Sequence, residues 1–76
     1  MRLYAIYDRV AEESGPIFEA KNDLIALRMT EEFISKHPDD YWVMYIGDYS
    51  HDPVRITPVE YPLRVYSSNC FVEDEQ

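Results

Sequence analysis

Soft metal ligands, glycine and positive charge are all scarce in this chain. One cysteine, Cys70, in 76 residues excludes an intrachain disulfide and fits a reducing cytosol better than a secreted disulfide scaffold. Cys70, His37 and His51 show no C-x-x-C or H-x-x-x-H spacing, so neither a structural zinc site nor any other cofactor is expected. Two glycines, Gly15 and Gly47, cannot build a Gly-rich phosphate loop. No run approaches the ~18 consecutive apolar residues of a membrane span. The apolar stretch within residues 1–8 is too short for a signal peptide and no small-residue cleavage site follows it, so the protein is expected to stay where it is made, away from membranes.

Seven basic residues against fifteen acidic give a formal charge of −8, which repels nucleic-acid phosphates and anionic lipid at long range. Hydrophobic residues make up 46% of the chain, with seven tyrosines, three phenylalanines and one tryptophan, and that content argues for folding over disorder. The length allows one small domain, which buries only roughly 60% of its unfolded surface. With no disulfide or metal to add stability, association with a second copy is the expected supplement.

The pattern predicts α+β. Residues 2–9 read as a Tyr-rich strand, Glu12-Glu13-Ser14-Gly15-Pro16 as a turn and residues 17–19 as a short returning strand. Asn22 is a good N-cap, with Asp23 in the first turn, and the helix runs to Lys36 before Pro38 stops it. At 100° per residue, Ala26, Met29, Thr30 and Phe33 share one side, and Phe33, central in that arc, is expected in the core. Residues 41–47 are the strongest strand, with Trp42, Met44 and Ile46 on one face and Tyr41, Val43 and Tyr45 on the other. Asp48-Tyr49-Ser50-His51-Asp52-Pro53 reads as a turn and residues 54–57 as a hairpinned fourth strand. Pro58 and Pro62 are expected to break pairing, leaving residues 63–66 at most an edge strand. The expected architecture is a mainly antiparallel sheet of four to five strands in the order strand, strand, helix, strand, strand, with one helix on one face. Residues 1–66 form the domain and residues 67–76 a loose acidic tail. A single helix covers one sheet face, so the other is left needing a partner.

No catalytic constellation emerges, and the chain is expected not to be an enzyme. Ser50, His51 and Asp52 are consecutive and cannot converge on one substrate atom. Glu31 and Glu32 diverge by 100° on the helix and read as a solvated face. Asp48 and Asp52 lack the alternating ligands and distal Glu of a calcium loop. Binding is what survives. Tyr4, Tyr7, Tyr41 and Tyr45 could form a platform on which single-stranded bases stack, with cations such as Arg28 for phosphates. Chemistry alone favours the plainer reading, in which these tyrosines are core or a dimer interface.

The run Ser14-Gly15-Pro16-Ile17-Phe18-Glu19-Ala20-Lys21-Asn22-Asp23-Leu24-Ile25-Ala26-Leu27-Arg28 resembles the small nonstructural protein of gokushoviruses and related microviruses, which are single-stranded DNA phages. The shared pieces are a Tyr-rich strand ending at Asp8, Gly15-Pro16, an Asn22-Asp23 helix start leading to Arg28, and an aromatic strand running into Gly47-Asp48. They cover about residues 1–60. The resemblance implies a replication-associated accessory protein of the infected bacterial cytoplasm, DNA-binding or involved in viral single-stranded DNA synthesis. Two modes of action follow: binding single-stranded DNA, or docking as an acidic adaptor on a viral or host replication protein without touching DNA.

Overall fold

The computed structural model describes residues 1–65; the anticipated acidic tail and Cys70 lie outside the described residues. Its elements run β1 (Arg2–Asp8), β2 (Glu13–Ala20), α1 (Asp23–Ser35), β3 (Tyr41–His51) and β4 (Val54–Arg64). The four strands form one antiparallel sheet in the order β2-β1-β3-β4, and α1 packs on one face of it. The α+β architecture expected from the sequence is the one observed.

The helix starts where its cap chemistry dictates. Asn22 is extended, and its side-chain oxygen accepts from the Ile25 N–H at 2.9 Å, which satisfies one of the open donors of the first turn. Ala26 and Thr30 face the sheet and are buried. The Thr30 hydroxyl donates back to the Ala26 carbonyl at 3.1 Å, so its burial leaves no polar atom orphaned. Phe33 is not in the core: it remains 49% exposed, and Met29 57%. The helix is rolled so that small residues meet the sheet, while Phe33 leans on the Tyr41 ring at 4.7 Å between centroids. The reason is the size of the side chains beneath. Tyr4 fills the space under α1, where Ala26 and Thr30 are buried and Ile25, Leu27 and Ile34 pack around the same core.

Three boundaries differ from the sequence expectation. The first turn lies at residues 9–12, not at Gly15-Pro16. Asp8 accepts from the N–H groups of Val10 and Ala11 at 2.9 and 3.1 Å, and Glu12 takes a left-handed φ of 57°. Gly15 and Pro16 fall instead in a bulge opposite Ile6, because Ala5 pairs with Ile17 and Tyr7 with Ser14. Second, β3 continues to His51, since Tyr49, Ser50 and His51 pair with Ile56, Arg55 and Val54; only Asp52-Pro53 turns. Third, Pro58 and Pro62 do not end β4. The ladder passes from the Gly47–Pro58 pair to the Tyr45–Leu63 pair, a bulge that accommodates both prolines in an edge strand whose outer side needs no donors.

Glu12 offers a small test of the turn. A non-glycine residue at positive φ costs of order 1 kcal/mol, so Glu12→Gly should leave stability unchanged or raise it slightly, read as a higher urea midpoint. A clear loss would mean that the Glu12 side chain holds the turn.

Candidate nucleic-acid interface on the open sheet face

The helix side of the sheet is filled. Tyr4 is fully buried, its ring 5.6 Å from Phe18 and 5.8 Å from Tyr45 between centroids, with Ala20, Ala26, Val43 and Val65 completing the core. The Tyr4 hydroxyl donates to Asp23 Oδ1 at 2.6 Å, and Tyr45 donates to Asp48 Oδ2 at 2.9 Å. Arg2 closes this cluster. Its guanidinium carbon sits 3.9 Å from the Tyr45 ring centroid, and one of its nitrogens lies 3.5 Å from Asp23 Oδ1. A basic residue that could have met a phosphate is therefore used to pin strand to helix.

Burial pushes the Tyr4 phenol well above its usual range, aided by the hydrogen bond to Asp23 and the charge of that carboxylate. Tyr45 is raised for the same reasons, with Asp48 as partner. Because the folded state holds these protons more tightly than the unfolded chain, their contribution is fully present below the ordinary tyrosine pKa of about 10 and is lost as pH rises through the folded values. Urea midpoints should therefore begin to fall above about pH 10. Tyr4→Phe should be less stable at neutral pH by about 1 kcal/mol, with a shallower alkaline decline. A Tyr4→Phe decline as steep as the parent's would show that other groups govern alkaline unfolding.

Among the described residues the opposite face carries no helix. Strand alternation and register place Leu3, Ala5 and Tyr7 of β1 on it, with Ile17 and Glu19 of β2, Trp42 and Met44 of β3, and Arg64 of β4. Beyond Gly47 the β3–β4 hairpin adds Tyr49, His51, Val54 and Ile56 to the same face, and His51 Nε2 meets Glu19 Oε2 at 3.0 Å. At the other end of the face the guanidinium carbons of Arg9 and Arg64 stand 4.7 and 4.5 Å from the centroid of the Trp42 ring. The Tyr7 ring lies 6.4 Å from that of Trp42. Arg9 is held by its own strand end, since it donates from Nη1 to the Asp39 carbonyl at 2.8 Å and from its backbone N–H to the Asp40 carbonyl at 2.8 Å. Cation–π contact is strongest on tryptophan, so two cations are held over a half-buried indole in a chain of formal charge −8.

The four tyrosines anticipated as one platform are thus divided. Tyr4 and Tyr45 belong to the helix side, and Tyr4 has no surface to offer a base. Tyr41 is also on the helix side, against Phe33. Tyr7 alone of the four lies on the open face, and Arg28 is exposed on the helix, one layer away. Sequence reasoning overlooked Trp42 as the centre of the site. The signal was available, because Trp42 and Met44 share a parity opposite to Val43, but nothing in the strand itself says which parity the helix will choose.

Little else in the described residues suggests chemistry. No group of three or more His, Cys, Asp or Glu could hold a metal ion among them, and His51, the centre of the consecutive Ser50-His51-Asp52 run, is engaged with Glu19. A pocket of about 190 Å3 lined by Asp8, Val10, His37, Asp40 and Tyr41 is smaller than the ~300–1,000 Å3 typical of small-molecule sites. No helix among the described residues is long and apolar enough to cross a membrane.

Residues 1–71 match a family model described as Phage ORF5 protein. No curated protein and no solved structure matches the chain.

Proposed function

Since the chain belongs to the Phage ORF5 protein family, we propose that it is an accessory protein of viral single-stranded DNA synthesis in a microvirus-infected bacterium, acting in the host cytoplasm by binding single-stranded DNA. The observation that carries this reading is the Trp42 site: an indole flanked by two arginines and a tyrosine on a sheet face that no helix among the described residues covers. A base stacked on an aromatic side chain gains ~1–3 kcal/mol whatever its identity, and that gain needs the unpaired strand. Arg9 and Arg64 neutralise phosphates locally where the protein as a whole repels them. The activity proposed is binding, with no bond made or broken.

The chain has one tryptophan, so intrinsic fluorescence reports on the site directly. Titration with a thymidine oligonucleotide should quench Trp42 and raise the anisotropy of a labelled strand. Two phosphate contacts predict that log K falls with log salt at a slope of about −1.4, far shallower than for a basic binder. Trp42→Phe should weaken binding less than Trp42→Ala, whose loss should be about tenfold or more. Arg28→Ala, on the far side of the sheet, should bind as the parent does. Absence of quenching at any salt, with a replication protein recovered on the immobilised chain, would replace this reading with the acidic adaptor favoured by the −8 charge.

A further inference from the structure

We infer that the open face is self-complementary and that a second copy of this chain covers it in a two-fold dimer, so that self-association and strand binding compete for one surface. The competition rests on the reading of the Trp42 site given above; the dimer does not.

Two features of the face argue for this occupant. The first is apolar area. Ile17, Val54 and Ile56 are 64%, 76% and 63% exposed and share the face with Leu3, Ala5, Tyr7, Trp42 and Met44. Ala5 is buried and Leu3, Tyr7, Trp42 and Met44 are half-buried, so Ile17, Val54 and Ile56 carry most of the apolar exposure, and large apolar side chains grouped on one exposed face mark an interaction surface. The second is the placement of charge. Arg9 and Arg64 gather at Trp42, level with Tyr7 on β1. Glu19 stands on edge strand β2, level with Leu3 and with His51 against its Oε2 at 3.0 Å, about 13 Å further along at the rise of a strand. The arginines and the glutamate therefore lie towards diagonally opposite corners. A two-fold axis running between two such faces, with the sheets crossed at a large angle, sets the Glu19 corner of each copy over the arginine corner of the other. Each interface then has two like ion pairs around an apolar centre, and the low profile of Ala5 beside Met44 lets the sheets approach. A second copy supplies an acid opposite each arginine cluster and arginines opposite each Glu19.

In the dimer each arginine cluster faces a carboxylate of the partner copy. A single-stranded oligonucleotide must displace that copy, so binding and dissociation of the dimer are linked.

Charge exchange tests the arrangement. Glu19→Arg and Arg64→Glu should each raise the dimer dissociation constant by roughly tenfold or more, as removal of a close interfacial charge pair does. The combined Glu19→Arg/Arg64→Glu protein should return to within about threefold of the parent, because the two changes restore the pairing. Sedimentation velocity across the micromolar range reads all four proteins, with circular dichroism to establish that each is folded. A thymidine oligonucleotide added to the parent should convert the dimer to a monomer–strand complex. A parent that stays monomeric throughout, or a dimer indifferent to both single exchanges and to the double one, overturns the interface. An oligonucleotide that binds without changing the protein's association state overturns the competition. A dimer that responds to the exchanges but binds no oligonucleotide supports the interface and removes the nucleic-acid reading instead.

Discussion

Tyr4→Ala should leave the protein largely unfolded at 25 °C. Tyr4 is the largest fully buried side chain among the described residues, and truncating an aromatic core residue typically costs about 3–5 kcal/mol. Here the loss includes ring contacts with Phe18 and Tyr45 and the only hydrogen bond that ties the sheet's centre to the first turn of the helix through Asp23 among those described. Whole-domain stabilities run from about 5 to 15 kcal/mol, and a chain of this size sits near the lower bound. Circular dichroism should show loss of the helix and no cooperative urea transition. Phe33→Ala, at a half-exposed ring, should cost only about 1 kcal/mol and keep a cooperative transition. If the two variants lose equal stability, the helix is rolled differently from the arrangement described above.

Gly47→Val should be almost as damaging, for a reason that has nothing to do with lost contacts. A Cβ at position 47 would stand 2.6 Å from the Thr57 carbonyl oxygen and 2.9 Å from Pro58 Cα. Both are backbone atoms of the paired strand, so no side chain can swing aside, and β4 must move away from β3 to admit even alanine. Overpacking of this sort costs about 1–3 kcal/mol for a small addition, and the branched valine should exceed that. Gly15 provides the contrast: its Cβ would meet only the Ile6 carbonyl, at 3.1 Å, within a bulge that can yield. The urea midpoint should therefore fall in the order Gly15→Ala, Gly47→Ala, Gly47→Val. Equal midpoints for the two alanine variants would show that the β3–β4 crossing is looser than its geometry indicates.

The order of elements and the α+β class were legible because each rests on local chemistry. Asn22 caps, Pro38 stops, and the alternation of residues 41–47 has a period of two whatever surrounds it. The Asp48–His51 segment reads as a turn because its residue types favour turns singly, while its pairing with residues 54–57 and the mutual bonds of Tyr49 with Met1 are set by the fold. The candidate site was legible in its parts only. Arg9, Arg64 and Trp42 lie far apart in the chain, and their meeting depends on the register of β1 with β3 and of β3 with β4. The tyrosine platform failed to assemble for a complementary reason. Strand parity divides Tyr4 from Tyr7, and the helix takes the side of Tyr4, where the phenol finds Asp23. Phe33 shows the limit of helical periodicity: it locates an apolar arc to within a residue or so, and a rotation of that size exchanges a buried position for an exposed one.

The prolines in the outer strands carry a consequence for how this protein behaves when crowded. Pro16 lies in β2 and Pro58 and Pro62 in β4, which are the two margins of the sheet, and each removes an amide that a neighbouring chain would need in order to add a strand. Two bulges twist the same margins out of register. Such a molecule is a poor template for ribbon-like growth, at whatever concentration it is held. Any contact with another molecule is thereby left to side chains on the broad surfaces, where it can be specific, reversible and finite in number.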